Sequence, residues 1–345
     1  MIALLLAGTV AFLTSIVGTP FLISWLRAHG IGQPIREDGP QGHVTKAGTP
    51  TMGGLAIVAG TLLGYLAAHL REQTIFTRGG ILVVLAIAGA GAVGGIDDWI
   101  KVRNDRNLGL NKRAKIGGLL VVAVSFAWLA VEWANVDTTL SFTRHDSLGI
   151  EMPWWLFIVW AVLLFLGTSN GANLTDGADG LLAGSSIFCW GAYAVIAFWA
   201  FRHPEVYRVP QALDLALVGA AMVGALAGFL WWNAPPAKIF MGDTGSLAIG
   251  AGLAAMALVT STHLLLPIIA GIFVIETLSV ITQVASFRIF GRRLYRMAPI
   301  HHHFEISGWP ETTVIVRFWI LAGLSTAVAV GIFYADYLSI PGAID

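Results

Sequence analysis

The chain has 345 residues, of which 56% are apolar and only 12% charged, and its mean hydropathy is +0.75. Soluble domains carry about 25% charged residues, so a water-soluble globule is excluded and the chain reads as an integral membrane protein. Its 20 basic and 20 acidic residues cancel, no nucleic-acid partner is expected, and the single cysteine, Cys189, can form no intrachain disulfide.

A spanning helix needs about 20 apolar residues. Ten segments meet or approach that length: 2–26, 52–70, 79–96, 116–133, 152–168, 181–201, 213–232, 246–259, 264–287 and 314–334. The eighth is short, and only a Ser-Thr-His turn, Ser261 to His263, separates it from the ninth. Lipid admits only helices or closed barrels, and no strand-like alternation appears. The expected fold is therefore all-α: a single polytopic domain over 1–345, a bundle of about ten transmembrane helices. The N-terminus lacks a basic leader region and a clear cleavage site, so it is expected to be the first helix and not a removed signal. Fifteen of the 20 Lys and Arg fall in one alternate set of loops. The positive-inside rule puts that set in the cytoplasm and both termini outside.

Five loops of that set hold the polar chemistry. The first, from Lys46 through Gly48, Thr49, Pro50 and Thr51 to Gly53-Gly54, precedes a helix, whose N-terminal N–H groups and dipole could hold a phosphate. The same residues also suit a Pro-containing turn with a Thr cap. The second loop begins Asp97-Asp98-Trp99-Ile100-Lys101 and ends Lys112-Arg113-Ala114-Lys115. Adjacent aspartates at a helix C-terminus oppose its dipole. They are either a solvated loop end or a carboxylate pair that positions a nucleophile or binds Mg²⁺, an ion commonly held by one or two carboxylates plus substrate phosphates.

The third loop carries Asn173, Asp176, Gly177, Asp179 and Gly180. It suits a turn ending in an N-cap, and it lacks the ligand series of a calcium loop. In the fourth, from Asn233 through Lys238 and Phe240 to Gly242-Asp243-Thr244-Gly245-Ser246, Asp243 either caps the next helix or binds metal. An aromatic and an Asn beside it would suit a nucleobase. The fifth contains Arg292-Arg293 and then His301-His302-His303. Adjacent histidines on a helix diverge by about 100°, and no zinc spacing is present, so anion or sugar contact is favoured over a transition metal. Glu276 and Gln283, seven apart inside the ninth span, are intramembrane polar residues and so candidates for function, though they suit a structural hydrogen bond between helices equally well.

Taken in order, the segments at 46–54 (KAGTPTMGG), 97–101 (DDWIK), 173–181 (NLTDGADGL), 233–246 (NAPPAKIFMGDTGS) and 298–305 (APIHHHFE) closely resemble the phospho-N-acetylmuramoyl-pentapeptide transferases. These belong to a wider superfamily of polyprenyl-phosphate sugar-phosphate transferases. Trp99 and Ala178 stand where Tyr and Leu are expected, and neither departure touches a polar group. The resemblance implies a bacterial plasma-membrane enzyme of peptidoglycan synthesis, facing the cytoplasm. It implies UDP-N-acetylmuramoyl-pentapeptide and a polyprenyl phosphate as substrates, Mg²⁺ as cofactor, and lipid I and UMP as products. A homodimer and inhibition by uridine-containing antibiotics are implied as well. By matching segments, Asp243 resembles the principal Mg²⁺ ligand, with Asp97 and Asp98 at the reacting phosphates. Lys46, Thr51, Lys101 and Lys115 resemble phosphate and substrate contacts, and Asn173, Asp176, Gly177, Asp179, Asn233 and Phe240 the nucleoside pocket. His301 and His302 resemble essential loop histidines, with His303 and Gln283 as nearby polar contacts.

Phosphoryl transfer follows from this, and direct attack by the lipid phosphate is favoured. A phosphate monoester has its second pKa near 6, so the nucleophile is mostly dianionic without a base. The alternatives are a covalent aspartyl intermediate, a related N-acetylglucosamine-phosphate transferase, and, more distantly, an ion-coupled transporter. The last would place its charges near the bilayer midplane, not at helix ends.

Overall fold

A computed structural model describes residues 1–29, 48–70, 75–103 and 109–341. Its helices are α1 Ile2–Ala28, α2 Gly54–His69, α3 Arg78–Arg103, α4 Lys112–Glu132, α5 Trp154–Thr175, α6 Leu181–Arg202, α7 Pro204–Tyr207, α8 Ala212–Asn233, α9 Gly242–Val259, α10 Leu266–Ile269, α11 Gly271–Phe290, α12 Ile300–Ile306 and α13 Glu311–Leu338. Nine of them are long and apolar enough to cross a membrane. The one remaining expected span, the second, is α2, also apolar but 16 residues long. At 1.5 Å per residue it covers about 24 Å, short of a hydrocarbon core of about 30 Å.

The all-α expectation is met apart from one small antiparallel pair between α4 and α5. There β1 (Thr139–Leu140) and β2 (Ile150–Glu151) join in the register Thr139 to Glu151 and Leu140 to Ile150. The doubtful boundary near residue 261 also holds: α9 ends at Val259, and α10 intervenes before α11.

Helix α9 is the axis of the bundle. All but its first residue are buried, and it packs against α2, α3, α5 and α6. Helix α8 packs against α1, α2 and α6. A helix enclosed on all sides in a membrane needs small side chains so that its neighbours can approach, and α9 is mostly Gly, Ala, Ser and Thr with scattered Leu and Ile. Because α9 begins within the core, its N-terminal turn is where neighbouring helices can converge polar groups.

Candidate active site

The site begins with a glycine. Gly94 lies one turn before Asp98 in α3, and a Cβ there would overlap the Asp243 carbonyl and the Thr244 nitrogen. Without that Cβ, the start of α9 comes directly against α3. Asp98 then caps α9 from outside. Its Oδ1 accepts from the Asp243 N–H at 3.1 Å, and its Oδ2 accepts from the Thr244 N–H at 2.9 Å and the Thr244 hydroxyl at 2.7 Å. Helix α9 has no cap from its own side chains, so the alternative in which Asp243 caps it is overturned. The unfavourable position of Asp98 near the C-terminal end of α3 is offset by the N-terminal dipole of α9.

Relieved of capping, Asp243 faces the other polar groups. Its Oδ2 lies 2.6 Å from Lys101 Nζ and 2.7 Å from Lys115 Nζ, and its Oδ1 accepts from the Asn173 amide. Asn173 also donates to Ser246 Oγ at 2.9 Å. Lys101 reaches Asp97 Oδ2 at 2.6 Å and Asp98 Oδ1 at 3.4 Å as well. Asp97 Oδ1 accepts from the Leu110 N–H at 2.7 Å. Helices α3, α4, α5 and α9 thus bring three buried carboxylates and two lysines together, with one negative charge in excess. Thr244 and Ser246 lie in the 233–246 segment, but only their contacts mark them as part of the site.

The donor set suits a hard divalent cation. One oxygen from each of Asp97, Asp98 and Asp243 lies within 4.8 Å of the others. Ligands on an octahedral Mg²⁺ at 2.0–2.1 Å stand about 2.9 Å apart when adjacent and about 4.1 Å when opposite, so the carboxylates would close by less than about 1 Å to hold one. Asp97 and Asp243 are the better placed, because Asp98 is tied to the backbone at the start of α9, whereas the lysines on Asp97 and Asp243 are side chains that can give way. Among the described residues this is the one such group, and the histidines form none.

The remaining loops wall this cluster. The Phe240 N–H donates to the Pro50 carbonyl at 2.8 Å, and the Gly53 and Gly54 N–H groups donate to the Phe240 and Met241 carbonyls at 2.9 and 2.8 Å. The next two N–H groups of α2, on Leu55 and Ala56, bond to Met52 and Gly53 carbonyls. The N–H groups that a phosphate cradle at the start of α2 would use are therefore taken. Thr51 does not cap α2; it is buried, its hydroxyl beside Gly242. Lys46 lies outside the described residues.

Asp179 is not an N-cap either, since Gly180 opens α6 without a side-chain cap. Its Oδ2 accepts from the Ala237 N–H at 2.9 Å, and its own N–H donates to Glu311 Oε1 at 3.1 Å, tying the third loop to the fourth and to α13. Asn233 donates to the Ile239 carbonyl at 2.9 Å and closes the fourth loop, leaving Phe240 half-buried. Asp176 keeps some exposure. Desolvation raises its carboxyl well above the usual range, and the charges of Asp243, Asp98 and Asp179 push the same way.

The three histidines diverge, as adjacent residues on a helix must. His301 is fully buried, with Nδ1 3.0 Å from Glu276 Oε1. His302 Nδ1 meets Glu305 at 2.7 Å, and His303 Nδ1 accepts from the Arg296 N–H at 3.1 Å. A methyl group at Gly177 would overlap His301 Nε2 and crowd His302 Nε2, so the third loop and α12 meet at Gly177 because it has no side chain. Gln283 is occupied elsewhere: its amide bonds to the Leu294 and Tyr295 backbone.

The glycosyl transferase family 4 model matches residues 80–261, and signature 1 of the phospho-N-acetylmuramoyl-pentapeptide-transferases matches residues 46–58. The phospho-N-acetylmuramoyl-pentapeptide-transferase of Frankia alni is 50% identical to the chain, with 98% of this chain and 99% of the relative covered. The chain belongs to the phospho-N-acetylmuramoyl-pentapeptide-transferase family. Proteins of that name from Thermobifida fusca and Cutibacterium acnes are 48% and 47% identical, covering 98% and 97% of this chain and 99% of each relative. The signature segment ends inside α2 and the glycosyl transferase family 4 model spans α3 to α9, the helices that hold Asp97, Asp98, Lys115, Asn173 and Asp243.

Proposed function

We propose that the chain transfers phospho-N-acetylmuramoyl-pentapeptide from its UDP-linked form to a polyprenyl phosphate, giving lipid I and UMP. The reaction takes place at the cytoplasmic face of the bacterial plasma membrane. The observation that carries this is Asp243: a buried carboxylate contacted by Lys101, Lys115 and Asn173, released from helix capping by Asp98.

The difficulty in this reaction is electrostatic. A lipid phosphate that is already mostly dianionic must approach a diphosphate carrying about two negative charges. Asp97 and Asp243 are the residues to hold Mg²⁺, which when bound neutralises phosphate charge. Lys101 and Lys115 change partners on substrate binding, from carboxylate to phosphate oxygens, and so place positive charge where the transition state is anionic. Asp98 keeps the start of α9 rigid, and Asn173 holds the Asp243 carboxylate in one orientation. Asp176, Gly177, Asp179, Asn233 and Phe240 form the wall assigned to the nucleoside. His301 and His302, which adjoin it at Gly177, are assigned to the sugar-phosphate end. No general base is required, so the lipid phosphate attacks the β-phosphate directly and UMP leaves.

The test is UMP release by purified protein with polyprenyl phosphate and Mg²⁺, comparing UDP-N-acetylmuramoyl-pentapeptide with UDP-N-acetylglucosamine. A site built to pair with the lactyl-peptide portion discriminates by up to about 10⁴ in kcat/KM. Equal values, or a preference for N-acetylglucosamine, would reject the peptidoglycan assignment. Intact-protein mass spectrometry without the lipid acceptor checks the mechanism: a phosphosugar adduct on Asp97 or Asp98 that chases into product rejects direct attack.

A further inference from the structure

Helix α11 ends in a sharp reversal. Gly291, at φ +66°, takes the left-handed conformation and donates its N–H to the Phe287 carbonyl at 3.1 Å, a cap that a side chain would strain. The chain then folds back along α11, where two polar side chains of the helix pin it. Gln283 Oε1 accepts from the Leu294 and Tyr295 N–H groups at 2.9 and 2.8 Å, and its Nε2 donates to the Tyr295 carbonyl at 3.0 Å. Ser286 Oγ donates to the Arg292 carbonyl at 2.9 Å. Helix and fold-back together form an open cavity of about 550 Å³, lined by Thr282, Ser286, Ile289, Phe290, Arg292 and Arg293 among others. It shares no lining residue with the carboxylate site.

Two kinds of surface meet there. Arg288, Arg292, Arg293 and Arg296 are exposed, no acidic residue occurs from 282 to 297, and none of the four pairs with a described carboxylate. Beside them Phe287, Ile289, Phe290 and Leu294 are 58%, 70%, 67% and 57% exposed. These apolar residues stand at the last turn of a membrane-crossing helix and just beyond it, hence where hydrocarbon gives way to water. A cytosolic peptide or nucleotide would have no use for that apolar wall, whereas an amphiphilic anion uses both halves.

We propose that this cavity binds an anionic membrane phospholipid. Arg292 and Arg293 pair with its phosphate, and its acyl chains lie over Ile289, Phe290 and Leu294. The bound lipid steadies the fold-back, and the Arg296 N–H bond to His303 passes that order to α12. This last step rests on the functional reading above; binding itself does not.

Native mass spectrometry of the detergent-purified full chain, titrated with phosphatidylglycerol or phosphatidylcholine, tests binding without any turnover. Wild type should retain phosphatidylglycerol in preference. Electrostatic attraction of about fivefold per arginine near a membrane surface predicts about 30-fold weaker retention for Arg292→Gln with Arg293→Gln. Arg202→Gln, an exposed arginine outside the cavity, should have no effect. Gln283→Ala, which unpins the loop but keeps every charge, should also weaken retention. Unchanged retention in the double variant, or an equal loss in the control, overturns the proposal. One-for-one displacement of phosphatidylglycerol by polyprenyl phosphate would assign the cavity to the acceptor and overturn it too. In vesicles, wild-type UMP release should rise with the phosphatidylglycerol fraction, and the double variant should lose that dependence at unchanged nucleotide KM. A raised nucleotide KM with lipid retention intact gives the arginines to the peptide substrate and overturns the proposal.

Discussion

Two buried carboxylate groups, about 30 Å apart at opposite ends of α8 by its length, are built on opposite plans. Near its first turn, Asp214 stands alone. Its Oδ2 accepts from the Tyr65 hydroxyl at 2.9 Å and from the Thr77 N–H and hydroxyl, both at 2.8 Å, while His69 Nε2 lies 3.0 Å from Oδ1. His69 also bonds to the Tyr65 carbonyl and stacks on Phe76. The N-terminal dipole of α8 favours the charge. Beyond the last turn of α8 lies the other group, where Asp97, Asp98 and Asp243 crowd around two lysines. Like charges this close disfavour one another and need cations to persist. Burial of a carboxylate therefore does not mark function. A crowded, incompletely neutralised group does, because its charge remains available to a substrate or ion.

The comparison breaks most readily at Asp243. Asp243→Asn keeps the shape but makes a poor Mg²⁺ ligand. Turnover should fall by at least about 10³-fold while the unfolding midpoint barely moves. Turnover within tenfold of wild type would make this cluster as structural as the other. Asp214→Ala should do the reverse: it strands Tyr65, Thr77 and His69, costs about 3 kcal/mol of stability, and leaves kcat and KM of the folded enzyme within about twofold. A changed KM with an unchanged unfolding midpoint would end the contrast from the other side.

A subtler test is Gly177→Ala, which pushes a methyl into His301. Displacement of a positioned group by about 1 Å costs about 10²-fold in kcat/KM, with little loss of stability because the loop is partly exposed. Activity near wild type would show that the histidines need not touch the third loop. The smallest effect belongs to Asp176. Its folded carboxyl ionises only at raised pH, whereas the unfolded one ionises near pH 4. Folding therefore loses stability as pH rises from about 4 toward the folded value. Asp176→Asn removes that loss, so the variant's unfolding midpoint should gain on wild type as pH rises above about 4, even as nucleotide binding weakens. A constant difference across that range would mean that the carboxyl is not perturbed.

Much of this was legible in the chain. Apolar length located nine long spans and α2, and the divergence of adjacent histidines on α12 follows from helix geometry alone. Asp97, Asp98, Lys101, Lys115, Asn173 and Asp243 were all marked as candidates, and they are neighbours in space. What the chain left open was the task of each. Asp243 and Asp98 both had a structural and a chemical reading, and the cap turned out to be the residue on the other helix. The phosphate cradle at α2 was a fair reading of its glycines, but Phe240 and Met241 take its N–H groups. Glu276 stood out as an acid within a span, yet nothing local pointed to His301.

Beyond the family, which came from the resemblance of its motifs, the sequence by itself determined the membrane class, the order of the spans and the residues that could carry chemistry. These depend on hydrophobic length and residue type, which are properties of local segments. The tertiary structure alone decided which carboxylate caps, which stays available and which loop seals another. Such assignments depend on partners far apart in the chain, 145 residues for Asp98 and Asp243. They are settled only when α3 packs on α9 and each buried donor must find an acceptor.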